Sequence, residues 1–219
     1  MSPRRSAVEA RQTRAAILDR AVDVASIEGL EGLTTGRLAK HLRMSKAGVF
    51  GHFGTKEALQ LAALSQAIEV FRRTVWQPAA DLQPGLPRLA AICDSWIAYL
   101  TGNTFPGGCF LTAASCEFDG RPGPVRDAIA GALARWQRRL EHEAATAIDE
   151  GDLPTEANPA QVAFELNAVA MGVNQSLQLH RDTATPYLAR SAMRRILGLA
   201  PDEPGRGTAY LEPAPLRLG

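Results

Sequence analysis

The sequence is poor in cysteine and contains no long apolar run. Three cysteines in 219 residues are too few for the disulfide framework of a small secreted protein. No stretch of 18 apolar residues occurs, so no membrane-spanning helix is predicted. The polar first residues also lack the apolar core of a secretory signal. We therefore expect a cytoplasmic protein that has no membrane partner.

Signatures of catalysis and of metal binding are also missing. The chain has no paired carboxylates in a catalytic pattern, no glycine-rich phosphate loop after a strand and no nucleophile elbow. The four histidines show no ligand spacing: His41, His52, His142 and His180. We expect neither an enzyme nor a metal ion or cofactor.

One cysteine-containing stretch keeps an alternative open. Cys109 lies in the sequence GGCF and would suit a helical enzyme or adaptor with a pocket around this thiol, although no histidine or asparagine partner is evident. Cys109 and Cys116 are seven residues apart, a spacing that would also allow a redox switch. A buried, inert role is more common for cysteine.

Charge is distributed unevenly along the chain, although the net charge is only +1. Residues 1–56 contain ten Lys or Arg and five acidic residues, whereas the remainder contains 14 basic and 18 acidic residues. A basic head on an acidic body is typical of a protein that meets nucleic acid with one end.

Nearly the whole chain has helical periodicity, and no strand-like alternation is present. The pattern predicts an all-α fold of about nine helices. The boundary signals are Gly29 after the first helix, N-caps at Thr34, Ser45, Thr55 and Asn158, Pro87 in a first turn, a short helix over 109–118, a long helix over 124–150, and two last helices over 159–179 and 185–198. Residues 200–219 are rich in proline and glycine and are predicted to be a tail.

Residues 34–53 have the spacing of a helix-turn-helix: about eight residues, a turn of about three, and a second short helix. Leu38, Leu42, Val49 and Phe53 would face inward. The outward positions of the second helix would be Lys46, Ala47, Phe50, Gly51 and His52. Small residues there would let the helix enter a major groove, which is about 12 Å wide.

The stretch TTGRLAKHLRMSKAGVFGHFGTKEAL resembles the DNA-binding signature of the TetR (tetracycline-repressor-like) family of transcriptional regulators. The resemblance implies a three-helix DNA-binding domain at 1–54 and a helical effector-binding and dimerisation domain at 55–199. It implies a repressor that a small-molecule effector releases from a palindromic operator in double-stranded DNA.

Residue roles follow from the same resemblance. It implies that Thr34 and Thr35 cap the second helix and touch phosphate, and that Ser45 and Lys46 begin the recognition helix. It also implies that Ala47, Phe50 and Gly51 face the bases or backbone, that His52 contacts the backbone, and that Lys56 binds phosphate.

The chain departs from the family pattern at two positions. Arg43 replaces the turn glycine, so the turn either avoids a left-handed residue or bears a cost of about 1 kcal/mol, and Arg43 could reach a phosphate. Phe50 replaces a tyrosine and lacks its hydroxyl group.

The acidic body is expected to dimerise and to sense a ligand. The helix at 159–179 is apolar nearly all round, which predicts burial on two sides. In the resembling family the last two long helices pair across a two-fold axis, which implies a homodimer formed through residues 159–198. Large, semi-polar side chains of the body are candidates for an effector pocket: Trp96, Tyr99, Phe110, Trp136, Phe164, Asn167, Met171 and Gln175.

Overall fold

The computed structural model describes residues 7–200, which form nine α-helices and contain no strand. The predicted all-α class is confirmed. None of the described helices combines the length and apolarity needed to cross a bilayer. The predicted tail lies outside the described residues from position 201 onward.

The helices follow one another with short connections. Their bounds are α1 Ala7–Glu28, α2 Thr35–Leu42, α3 Lys46–Phe53, α4 Lys56–Phe71, α5 Leu86–Thr101, α6 Phe110–Phe118, α7 Pro124–Asp149, α8 Pro159–Gln175 and α9 Thr185–Ile196. A π-helical turn extends α4 over Arg72–Trp76, and another extends α8 over Ser176–His180. The helix predicted over 159–179 is therefore regular only up to Gln175.

Side-chain oxygens fix the starts of four helices, as predicted. The hydroxyl groups of Thr34, Ser45 and Thr55 accept the backbone N–H three residues on, at 3.2, 3.0 and 3.0 Å. Asn158 accepts two N–H groups at the start of α8. Each such cap stabilises its helix by roughly 1 kcal/mol.

The start of α9 at Thr185 agrees with the sequence prediction, but the residue that anchors this start was not identified from the sequence. The Asp182 carboxylate accepts the N–H of Ala184 at 2.9 Å and the hydroxyl of Thr185 at 2.7 Å. The bond from Thr185, followed by that from Ala184, lowers the pKa of Asp182. An acidic residue therefore anchors the turn from which Thr185 and Pro186 begin α9.

The described residues divide into two compact units. Residues up to Arg72 form the first unit together with Phe105–Ala134, and Arg73–Thr104 form the second with the residues from Arg135 onward. This division follows contacts, whereas the boundary predicted between residues 54 and 55 follows function and stays a prediction.

In the first unit, α1 packs against α2, α4 and α6, and α2 packs against α3. Ile17, Leu38 and Val49 are fully buried there, and Phe53 is also buried. Leu42 was expected inside but is only half-buried, because it is the last residue of α2 before the chain turns. Two helices of eight residues are thus held by a core that neither could form alone.

In the second unit, α5, α8 and α9 pack on one another. A buried carboxylate fixes the loop that precedes α5: Glu143 accepts the N–H of Gly85 at 2.9 Å and pairs with Arg88 at 3.0 Å. Arg88 also donates to the carbonyl oxygens of Ala80 and Leu82. This network satisfies backbone groups that an irregular loop would otherwise leave unpaired.

Candidate nucleic-acid interface

The turn between α2 and α3 contains a left-handed residue. Arg43 has φ 54° and ψ 35°, and its N–H caps the end of α2. Of the two alternatives that the sequence left open, the structure takes the strained one. A residue with a Cβ costs roughly 1–2 kcal/mol in this conformation.

We expect Arg43→Gly to raise the free energy of unfolding by about 1 kcal/mol, because glycine adopts this conformation without strain. The melting temperature should rise by about 2–4 °C in thermal unfolding followed by circular dichroism. Lys40→Gly is the matched control, since it places the same residue in the last turn of α2 and should destabilise. A variant at Arg43 that melts below the wild type would contradict the assignment of strain.

The outer face of α3 is open to solvent. Lys46, Ala47, Phe50 and Gly51 are exposed, whereas Val49 faces the core. A Cβ placed on Gly51 would meet no atom within 4 Å, so packing within the described chain does not require glycine there. The small residues Ala47 and Gly51 on this face would allow close approach to a groove.

Phe50 is 52% exposed at the middle of this face. An aromatic ring in water on an eight-residue helix contributes little to the fold, since most of its apolar surface stays hydrated. Apolar contacts with the thymine methyl group are one of the ways in which major grooves are read. The ring and Lys46 thus combine an apolar contact with a positive charge on one surface.

The other predicted contacts surround this face. Thr34 and Thr35 are half-buried at the start of α2, and the Thr34 hydroxyl is used as the cap. Ser45 caps α3 and is exposed, while His52 is half-buried with its ring 6.3 Å from that of Phe53.

The cations of the head differ in their partners. Arg37 pairs with Glu28 at 2.9 Å, and Lys56 pairs with Glu31 at 2.5 Å. Lys46 and Arg43 form no ion pair with any residue in the range 7–200. The predicted phosphate ligand Lys56 therefore already has an anionic partner, which the sequence did not reveal.

The corner between α1 and α2 is held by residues that sequence reasoning missed. The Glu117 carboxylate on α6 accepts the N–H groups of Leu30 at 2.7 Å and Glu31 at 3.0 Å. Gln60 on α4 donates to the Leu30 carbonyl at 2.9 Å and to the Glu31 carboxylate at 3.2 Å. Gln60 is buried, and a polar residue at a core-facing position of α4 was the available signal.

A second contact ties the segment before α6 to the end of α1. The N–H of Gly107 donates to the Ser26 hydroxyl at 3.1 Å. A Cβ at position 107 would lie 1.8 Å from the Ser26 carbonyl oxygen, so only glycine fits. The segment from 107 to 117 therefore holds the first unit at two points.

The candidate effector residues lie in different surroundings. Trp96 and Trp136 meet edge to face with centroids 5.2 Å apart, and Tyr99 is buried in the same unit. Phe110 is buried in the first unit. Their role in binding a ligand stays a prediction.

The candidates on α8 lie on its outer side. Phe164 is 63% exposed, Met171 and Gln175 are exposed, and Asn167 is half-buried with its amide 3.5 Å from the Met171 sulfur. The described chain buries one side of α8 and leaves the other open, although the sequence predicted burial on both. No other described segment covers that second side.

The cysteines have different surroundings. Cys93 and Cys109 are buried and Cys116 is exposed, so Cys109 and Cys116 do not share an open face. Burial raises the pKa of Cys93 to about 12, which keeps its thiol protonated and unreactive. Within the described range, no group of three or more histidine, cysteine or acidic residues is arranged to hold a metal ion.

Two family models match separate segments of the chain. Residues 17–63 match the bacterial regulatory proteins of the tetR family, and residues 85–193 match the tetracyclin repressor-like C-terminal domain. The chain belongs to the TetR family of transcriptional regulators.

Relatives of this TetR-family chain include the tetracycline repressor protein class C of Escherichia coli, 33% identical over 90 residues. That match covers 41% of this chain and only about a third, 35%, of the repressor's length. A TetR regulator from Chloroflexus aurantiacus superposes with a TM-score of 0.78 at 21% identity, covering 87% and 95% of the two chains. AibR, solved with isovaleryl coenzyme A and operator DNA, gives 0.69 at 22% identity, covering 86% and 98%. At these identities the solved structures establish the shared fold.

Proposed function

We propose that this protein is a ligand-responsive, cytoplasmic DNA-binding regulator, a repressor that a small molecule releases from a palindromic operator. The observation that carries the proposal is the outer face of α3. Ser45 caps α3, Thr34 and Thr55 cap the helices on either side of it, and a strained turn precedes it. This short helix presents an exposed ring and a lysine without an ion-pair partner among the described residues.

The proposal gives each head residue a place on DNA. Lys46, Ala47, Phe50 and Gly51 enter the major groove. The neighbouring backbone is contacted by Thr34, Thr35, Arg43, Ser45, His52 and Lys56. The backbone contacts position the protein, and the contacts in the major groove select the DNA sequence.

A second head is needed because one short helix reads few base pairs. Two heads that enter successive major grooves lie about 34–36 Å apart or a multiple of that distance. We therefore propose a homodimer through residues 159–198, with an isologous interface.

The exposed side of α8 and α9 supports the dimer. We call this surface the dimer face, and its apolar members are Phe164, Ala168, Met171, Leu179 and Leu188. Leu179 and Leu188 are both at least 60% exposed. Large apolar side chains left open on two neighbouring helices favour an association site there. Val173 and Ala170 are buried in the protomer core instead and do not belong to this face.

The effector is proposed only as a small molecule. AibR binds isovaleryl coenzyme A, and an acyl thioester is accordingly one class to test here. A ligand can release DNA only if it binds the free and DNA-bound states with different affinity. The alternative of an enzyme or adaptor around Cys109 gains no support from a thiol that is buried.

The proposal is tested with DNA taken from upstream of the protein's own gene, by fluorescence anisotropy at several salt concentrations. We expect Lys46→Ala to weaken operator binding roughly 100-fold, because the dimer loses one good contact, worth about tenfold, in each of its two heads. If the contact is to phosphate, the slope of log affinity against log salt should fall by about 1 per contact, hence about 2 per dimer. Arg138→Ala is the control, since it removes one exposed charge outside the head. Equal binding by the Lys46 variant and the wild type would contradict the reading-helix assignment.

A further inference from the structure

We propose that Glu31 is an internal competitor of the DNA backbone for Lys56, which makes this lysine available to operator DNA and withholds it from other DNA. The inference rests on the proposed function and adds to it a residue that limits non-specific binding.

Glu31 occupies the place where a phosphate would bind. Lys56 is the first residue of α4, whose N-terminus Thr55 caps, and a helix N-terminus next to a lysine attracts anions. The Glu31 carboxylate lies 2.5 Å from the Lys56 ammonium group. Both side chains are about two-fifths exposed, so the pair faces solvent and can be opened by an incoming phosphate.

The backbone and the carboxylate of Glu31 are each held by a residue of a neighbouring helix. The Glu31 N–H donates to Glu117 on α6, and the Glu31 carboxylate accepts from Gln60 on α4. Gln60 is anchored in turn on the Leu30 carbonyl. Hydrogen bonds from Lys56 and then Gln60 lower the pKa of Glu31, so the group is ionised at neutral pH. Most surface ion pairs lack such support.

The pair should act differently on the two kinds of DNA. In a non-specific complex, which is loose, the protein can keep the ion pair and forgo one phosphate contact per head. In the operator complex the seated α3 brings a phosphate to the start of α4, and that phosphate displaces the carboxylate. Lys56 then counts toward the salt dependence of operator binding and not toward that of non-specific binding.

The test is Glu31→Gln, which keeps the shape of the side chain and removes its charge. We expect affinity for a non-operator duplex to rise about five- to tenfold at low salt, with a salt slope steeper by about 1 per head. Operator affinity should rise by at least as large a factor, because the wild-type protein must break the ion pair to bind its operator and the variant need not. The salt slope of operator binding should stay the same, because Lys56 contacts phosphate there in both proteins. Thermal unfolding confirms that the variant is folded.

Two further variants make the result specific. Glu57→Gln removes the same charge from the residue next to Lys56, whose carboxylate forms no ion pair with that lysine in the described part of the chain. It should change non-operator affinity less than about twofold. In the Glu31→Gln/Lys56→Ala double variant the gain should disappear, since the released lysine is gone.

Three outcomes would overturn the inference: an unchanged non-operator affinity in Glu31→Gln, an equal gain in Glu57→Gln, or a gain that persists without Lys56. Each of these outcomes is meaningful only if the wild-type protein binds its operator more tightly than other DNA. A wild-type protein that shows no preference for any upstream sequence would instead overturn the proposed function, so the two failures are distinguishable.

Discussion

Phe164→Glu is expected to convert the protein to a monomer and to reduce operator affinity by at least about 100-fold. A single head binds in the range of non-specific affinity, about 10⁻⁴ to 10⁻⁶ M, whereas specific regulation needs about 10⁻⁸ M or tighter. Phe164 is 63% exposed at the dimer face, so a charge there disturbs association and leaves the protomer core intact. Light scattering should give 23.5 kDa for the variant and twice that mass for the wild type.

Leu82→Glu is the matched control, because Leu82 is another exposed apolar residue of the second unit and lies outside the dimer face. It should remain dimeric and bind the operator. Val173→Glu is unsuitable, since Val173 is 1% exposed and a charge there would unfold the protomer. Intact specific binding by a wild-type protein of 23.5 kDa would refute both the dimer and the palindromic operator.

The second large effect is expected at a buried carboxylate. Glu143→Ala should lower the free energy of unfolding by about 3–4 kcal/mol, because it leaves Arg88 without its anionic partner and the Gly85 N–H without an acceptor. The melting temperature should fall by about 6–16 °C for a chain of this size. Urea unfolding followed by circular dichroism measures the same loss.

Glu69→Ala controls for the loss of an ion pair as such, since Glu69 and Arg72 pair on the exposed surface of α4. Its melting temperature should change by no more than about 1–2 °C. Similar losses in the two variants would show that burial of Glu143 is not the source of its effect.

Helix starts were predictable because their signals are local. A hydroxyl group at Thr34, Ser45 or Thr55 needs only the N–H three residues on, so neighbouring letters contain all the information. Contacts over long sequence separations leave no such signal. Glu117 lies 86 and 87 residues from the N–H groups that it accepts, and nothing in its neighbours indicates that partner.

For the candidate interface, the sequence predicted which side chains are exposed but not which partners they have. The spacing over 34–53 predicted which side of α3 faces outward, and Lys46 and Phe50 are exposed as expected. Hydrophobic periodicity could not separate the buried side of α8 from its open side, because both are apolar. The choice of conformation at Arg43 and the partner of Lys56 depend on how separate segments meet, so they required three-dimensional structure.

Glu117 and Gly107 form hydrogen bonds with residues at and just after the end of α1. These bonds limit how a DNA-binding domain can be exchanged between regulators. A transplant cut after Arg72 would separate the Leu30 and Glu31 N–H groups from their acceptor and the Ser26 hydroxyl from its donor. The transferable module is therefore discontinuous: it comprises the N-terminal helices together with Phe105–Ala134. A chimera that keeps the host's α6 would need a carboxylate at the position of Glu117 and a glycine at that of Gly107.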